Sequence, residues 1–130
     1  MSAIDVVGRY GAAMAAGDME ALAATFDEDA VWHQPGANVV SGDHRGPAAI
    51  VAHLGRFMQL SGGTFVLEPD TVTASGDLVV MTVRFRAQRS GRTDLAQHGV
   101  DVFRVVGERI AEVWLLSEDQ AAEDAFWGTA

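Results

Sequence analysis

The second half of the chain is written in the two-residue period of β-strands. Leu78 to Gln88, Gln97 to Val106 and Arg109 to Leu116 alternate apolar and polar residues. The turn signals Ser75-Gly76-Asp77, Ser90-Gly91-Arg92 and Gly107-Glu108 separate them. Two shorter segments, Thr64 to Leu67 and Asp70 to Ala74, precede this meander. Such a sheet has one apolar face that must be covered, and the first half of the chain supplies the cover. Within residues 3–16, Ile4, Val7, Tyr10, Gly11 and Met14 recur at helical steps. Gly17 stops that helix, and Asp18 caps a second one with Leu22 and Phe26 facing inward. Asp27-Glu28-Asp29 reads as an acidic turn and Ala30 to Gly36 as a short strand ended by Pro35-Gly36. A polar loop over residues 36–46 leads to Pro47, which opens a third helix carrying Ile50, Val51, Leu54, Phe57 and Met58 on one face. Ser117-Glu118-Asp119-Gln120 reads as a capping box for a last helix through Phe126 and Trp127. Helices segregated from an antiparallel sheet predict an α+β fold. A strongly curved sheet closed at one end by helices would leave a concave pocket.

The length, 130 residues, suits a single domain spanning residues 1–130. There is no cysteine, hence no disulfide framework, thiolate nucleophile or cysteine metal site. A net charge of −9 repels phosphate backbones and argues against nucleic acid as a partner. No apolar run reaches the length of a membrane span, and Met1 to Asp5 lacks a basic leader, so no membrane partner is expected and a cytoplasmic location is the default. No histidine spacing supports a metal site, and His44 and His53 read as solvent-facing.

Within the strand Gln97 to Val106, alternation puts Asp101 on the apolar face with Phe103 and Val105, opposite His98. An acid on such a face either finds a partner, with Arg84, Arg104 or Arg109 as candidates, or keeps its proton and becomes a hydrogen-bond donor. Tyr10 lies on the buried side of its helix, where its hydroxyl also needs a partner.

Several short stretches then appear in a telling order. They are Arg9-Tyr10 with Gly17-Asp18, Asp29-Ala30-Val31-Trp32-His33-Gln34-Pro35-Gly36, and Ser41-Gly42 through Arg45-Gly46-Pro47-Ala48-Ala49-Ile50. Asp101-Val102-Phe103-Arg104-Val105 and Arg109-Ile110-Ala111-Glu112-Val113-Trp114 follow. Together they resemble the SnoaL-like branch of the ketosteroid isomerase-like (nuclear transport factor two-like) superfamily over nearly the whole chain. The resemblance implies a cone-shaped curved mixed or antiparallel sheet wrapped on the N-terminal helices and enclosing one apolar pocket. It matches Tyr10 and Asp101 to the two donors that stabilise an isomerase's developing oxyanion; the protonated acid of ketosteroid isomerase is itself a standard example of a carboxyl kept neutral by an apolar site. The isomerase base falls on Gln34, which cannot accept a proton at neutral pH. His33 is the substitute, a position that the related limonene epoxide hydrolases favour, although alternation sends His33 and Gln34 to opposite faces. The residue matching the polyketide cyclase acid is Leu115.

The expectation is therefore a cofactor-independent enzyme acting on a hydrophobic, carbonyl-bearing small molecule, as an isomerase, polyketide cyclase, dehydratase or hydrolase. Tyr10, Asp101, His33 and Gln34 are its candidate catalytic groups, and Trp32, Phe57, Phe65, Phe85, Phe103 and Leu115 its candidate substrate-binding walls. The competing reading is a non-catalytic ligand-binding or dimerisation module, which the missing bases favour. The resemblance also implies a homodimer through the outer sheet face, where Arg84, Arg86, Arg104, Glu112 and Trp114 are expected.

Overall fold

The structure is a computed structural model that describes residues 1–129. Helix α1 (Ala3–Ala16) opens with a capping box in which Ser2 and Asp5 exchange bonds, and it ends at Gly17, whose φ of 65° is the left-handed conformation that suits glycine. Helix α2 (Met19–Ala24) is capped by the Asp18 carboxylate, which accepts from the Ala21 N–H. Then come β1 (Phe26–Gln34), β2 (Gly42–Arg45), α3 (Pro47–Leu60) and four long strands. These are β3 (Val66–Ser75), β4 (Leu78–Ala87), β5 (Leu95–Val106) and β6 (Arg109–Ser117), and α4 (Gln120–Trp127) closes the order. All six strands form one sheet in the order β2-β1-β6-β5-β4-β3, in which only β1 and β6 run parallel. The mixed α+β architecture follows the expectation, with the helices laid against the concave face.

Four local readings need correction. Phe26 lies not on the second helix, which ends at Ala24, but at the start of β1. Asp27-Glu28-Asp29 is not a turn but part of β1, where the pairing with β6 shifts register between Phe26 and Val31 and the Asp27 carboxylate accepts from the Asp29 N–H. The two short segments before Leu78 are one strand, β3, whose register slips between Pro69 and Thr71. Proline is tolerated there because β3 is an edge of the sheet. Finally, β6 runs on through Ser117, so the N-cap of α4 is Asp119, which accepts from the Ala122 N–H. Strand β2, within the polar loop, carried no alternation to announce it.

Strand β5 shows the face rule at work. Leu95, Gln97, Gly99, Asp101, Phe103 and Val105 are buried, and every residue between them is more exposed. The core on that side joins Val6, Val7 and Leu22 of the first two helices to Phe26, Phe103, Ile110 and Val113 of the sheet. This packing holds α1 across the sheet and leaves a hollow between α1, α3 and β3–β6.

Candidate functional site

The hollow is a cavity of about 810 Å³. Its apolar wall includes Trp32, Phe57, Phe65, Phe85 and Leu115, and Phe57 stacks on Phe65 with ring centroids 5.2 Å apart. Phe103 does not reach the cavity. It is fully buried one layer deeper, its ring 5.3 Å from that of Tyr10, and it supports the site instead of lining it. Gly99 leaves space in the wall, since a Cβ there would stand 3.0 Å from the Leu116 carbonyl and 3.1 Å from the Phe85 ring.

Among the described residues, the polar side chains facing this space are those of Tyr10, Gln34, Asp101, Ser117 and Glu123. Tyr10 is wedged among Phe26, Trp32 and Phe103, with Phe26 meeting its ring edge-on at 5.8 Å. Its hydroxyl has no hydrogen-bond partner among the described residues; burial, and then the charge of Asp101, raise its pKa so that it stays protonated. Asp101 is 4% exposed and likewise unpartnered. Burial, and secondarily the charge of Glu123, raise its pKa to about 7. Arg104, named above as a candidate partner, cannot reach it, because Arg104 projects from the other face of β5 to Glu112.

Gln34 lines the cavity and His33 does not. The Gln34 amide oxygen receives the Trp32 indole N–H at 3.0 Å and lies 3.0 Å from His53 Nε2. Indole nitrogen only donates, so the atom facing it must be the amide oxygen, and His53 must donate to that oxygen as well. The Gln34 NH₂ is then the end left for the cavity. His53 is 2% exposed, against the expectation that it faces solvent, and stacks on His44 with centroids 3.8 Å apart. Burial, then the neighbouring charges of His44 and Arg56, push its pKa down to about 3, so it is a neutral hydrogen-bond donor with an unpartnered Nδ1.

His33 stands on the outer face. Its Nδ1 lies 2.7 Å from Asp43, its Nε2 lies 2.6 Å from Glu112, and its ring stacks on Trp114. The reading of His33 as the cavity's base is thereby corrected, since regular alternation in β1 puts Trp32 and Gln34 inward and His33 outward. Arg104 pairs with Glu112 on the same outer face, and Arg84 and Arg86 pair with Glu68. Among the described residues no group of three His, Cys, Asp or Glu side chains could hold a metal ion, and no helix is long and apolar enough to cross a membrane.

Glu123 was not singled out in the sequence. It is 4% exposed, on the same helical stripe as Phe126 and Trp127, and its Oε1 accepts from the Ser117 hydroxyl at 2.7 Å and the Gln120 amide at 3.2 Å. The i, i+3, i+4 spacing from Glu123 to those two aromatics was the available signal.

A curved sheet with an apolar cavity closed by N-terminal helices is the fold expected of the resemblance, and the SnoaL-like domain profile matches residues 7–113. The chain belongs to the SnoaL-like family. The uncharacterized protein Rv0034 of Mycobacterium tuberculosis is 34% identical to it over 125 residues, 95% of each chain. Among solved structures, a Xanthomonas campestris protein of unknown function with a cystatin-like fold is 43% identical, superposes with a TM-score of 0.89, and is matched over 98% of this chain and 99% of that one. Bal32a, from a soil-derived mobile gene cassette, is 36% identical with a TM-score of 0.89, over 97% and 96% of the two chains. Gln34, the residue that the resemblance matched to the isomerase base, presents its amide to this cavity.

Proposed function

We propose that this SnoaL-like protein is a cofactor-independent enzyme that binds a hydrophobic, carbonyl-bearing small molecule and moves a proton while stabilising an enolate-like oxyanion. The observation that carries the reading is the pair Tyr10 and Asp101, two proton-bearing groups facing an apolar cavity with no hydrogen-bond partner of their own. A dry pocket strengthens donors aimed at developing charge, and both side chains are buried. The Gln34 NH₂, held by Trp32 and His53, adds a third donor. Three donors in an apolar hollow suit a ligand with a carbonyl or enol oxygen on an apolar body. Isomerisation, polyketide-type cyclisation, dehydration and hydrolysis all pass through such charge. Gln34 at the position of the isomerase base favours, as a second reading, a module that binds the same ligands without turnover.

The test is titration with phenols of graded acidity, reading the ionisation of the bound phenol by absorbance. Bound phenolate is expected in the parent protein. Tyr10→Phe and Asp101→Asn are each expected to weaken its binding about 10- to 100-fold, the loss of one strong donor. Unchanged affinity in both variants would remove the oxyanion site.

A further inference from the structure

Tyr10, Asp101 and Glu123 are the only titratable side chains among the described residues that line the cavity. Tyr10 is locked in its protonated form, so proton acceptance within the cavity falls to one of the two carboxyls. We propose that Glu123, on α4, is the proton acceptor of this cavity, with Asp101 as the proton-bearing donor that faces the same ligand. The proposal rests on the oxyanion reading above and supplies the base that Gln34 cannot be.

The two carboxyls differ in what surrounds them. Asp101 has no hydrogen-bond donor at all. Glu123 has the Ser117 hydroxyl and the Gln120 amide, both on Oε1, which leaves Oε2 without a partner on a residue that lines the cavity. Glu123 also lies in the first turn of α4, where the helix dipole favours negative charge. The Trp127 indole N–H, which closes no hydrogen bond, lies close enough to favour the carboxylate too. Burial acts the other way and raises the Glu123 pKa, as does the neighbouring charge of Asp124, whose own carboxylate is turned to Asn38, Gln120 and the Ala37 N–H. Of two carboxyls that line one apolar space, the one with fewer donors holds its proton more tightly. Here that is Asp101, and the charge resides on Glu123. Ser117, paired with Gly99 across β5 and β6 just beyond the Asp101 and Leu115 pair, ties the base to the sheet that carries the acid.

The step balances within the cavity. Glu123 Oε2 takes the proton from a carbon next to the ligand's carbonyl, the C–H electron pair becomes the enolate double bond, and the carbonyl π pair moves onto oxygen. That oxygen accepts from Tyr10 and from protonated Asp101. Return of the proton from Glu123 to carbon regenerates the enzyme and gives exchange at the same carbon or isomerisation at another.

The experiment follows hydrogen–deuterium exchange at the α-carbons of 2-tetralone in D₂O by NMR, beside 4-nitrophenol binding by absorbance. The parent protein is expected to exceed buffer-catalysed exchange, and Glu123→Gln to lose about 100-fold or more of that acceleration, the range of a positioned general base. The same variant should hold 4-nitrophenolate as tightly or several-fold more tightly, because a negative charge has left the cavity. Ser117→Ala should move the pH midpoint of exchange upward by about half a unit to one unit, since the lost hydroxyl favoured the carboxylate. A purely structural Glu123 would not produce that shift. A folded Glu123→Gln protein that exchanges like the parent overturns the proposal, as does a parent that binds 4-nitrophenolate yet exchanges no faster than buffer. If Glu123→Gln does not fold, an unshifted midpoint in Ser117→Ala overturns it equally. Binding of 4-nitrophenolate that ignores both Tyr10→Phe and Asp101→Asn removes the oxyanion reading, and this proposal with it.

Discussion

On the cavity side of the sheet, burial raises the pKa of Asp101 and Glu123; on the outer side, contact with His33 holds Asp43 and Glu112 below the usual carboxylate range. The two clusters stand back to back, and β1 feeds both, since Gln34 points inward and its neighbour His33 outward. The residue types are the same and the outcomes opposite. Outside, each carboxylate meets a cation and remains wet, so ionisation is favoured. Inside, Asp101 meets neither water in bulk nor a donor, so its proton is retained. The difference teaches that a strand carboxyl's ionisation in this fold follows the sheet face it occupies, which a single register step exchanges. On the inner side, the donors within reach separate Asp101 from Glu123.

The largest effect that would test this contrast is the pH dependence of stability at Asp101. Its folded pKa of about 7 lies above the ordinary 3.8, so between these values the folded protein keeps a proton that the unfolded chain has lost. Stability therefore falls as pH rises from about 4 to 7 and levels off above. Asp101→Asn removes that slope, and the variant should gain on the parent by about 4 kcal/mol at most between pH 4 and pH 8, as roughly 1.4 kcal/mol accompanies each unit. Urea unfolding of both proteins at pH 4.5 and pH 8 measures it. A gap independent of pH would mean that Asp101 ionises as readily inside as Asp43 does outside.

A second break falls on the inner face alone. Gln34→Leu leaves the Trp32 indole N–H and the His53 Nε2–H facing a hydrocarbon, both within the buried layer. Two orphaned donors should destabilise the fold by about 3 kcal/mol. Gln34→Glu keeps an acceptor and should cost less at neutral pH. Denaturant midpoints of the two variants separate the explanations, and equal losses would show that side-chain shape, not the shared oxygen, matters at position 34.

Legibility in the sequence followed the same division. The strand alternation that set Asp101 inward and His98 outward, and the helix stripes of α1 and α3, were readable because burial enforces a period. The inward turn of Gln34 also follows from alternation, while the relatives' differing spacing to the proline pulled toward His33. His53 lies three residues after Ile50 and four before Phe57, squarely on the stripe of α3, yet its polarity suggested solvent. Its burial is compensated by Gln34, nineteen residues earlier in the chain, a pairing no local pattern announces. Glu123 escaped for the same reason: its partner Ser117 belongs to another element, and only the folded chain brings the two together. Buried polar residues are legible as exceptions to a pattern, but the groups that satisfy them are not.

The smallest effect belongs to the outer cluster, where it completes the contrast. The hydrogen bond to Glu112 raises the pKa of His33, burial opposes it, and Asp43 adds to the rise, so the net shift is upward. A base whose folded pKa is raised contributes stability that is whole below its ordinary value of 6.5 and is lost as pH climbs through the folded value. The lowered pKa values of Asp43 and Glu112 contribute above the ordinary carboxylate values of 3.8 and 4.5 and fade as acid protonates them. The cluster is thus strongest between about pH 4.5 and 6.5, the interval over which the cavity side is losing stability at Asp101. Side-chain exposures of 30% for His33, 47% for Asp43 and 25% for Glu112 mean that water and salt screen these pairs. His33→Ala should accordingly lower the melting temperature by only about 2 to 3 °C at pH 6, and by less at pH 9 or in 0.5 M salt. Because Trp32 and Gln34 keep their inward places, 4-nitrophenol binding in the cavity should be unchanged in this variant. A tenfold change in that affinity would mean that the two faces of β1 are coupled through the strand, and the separation of roles by face would fail at the residue where the two clusters come closest.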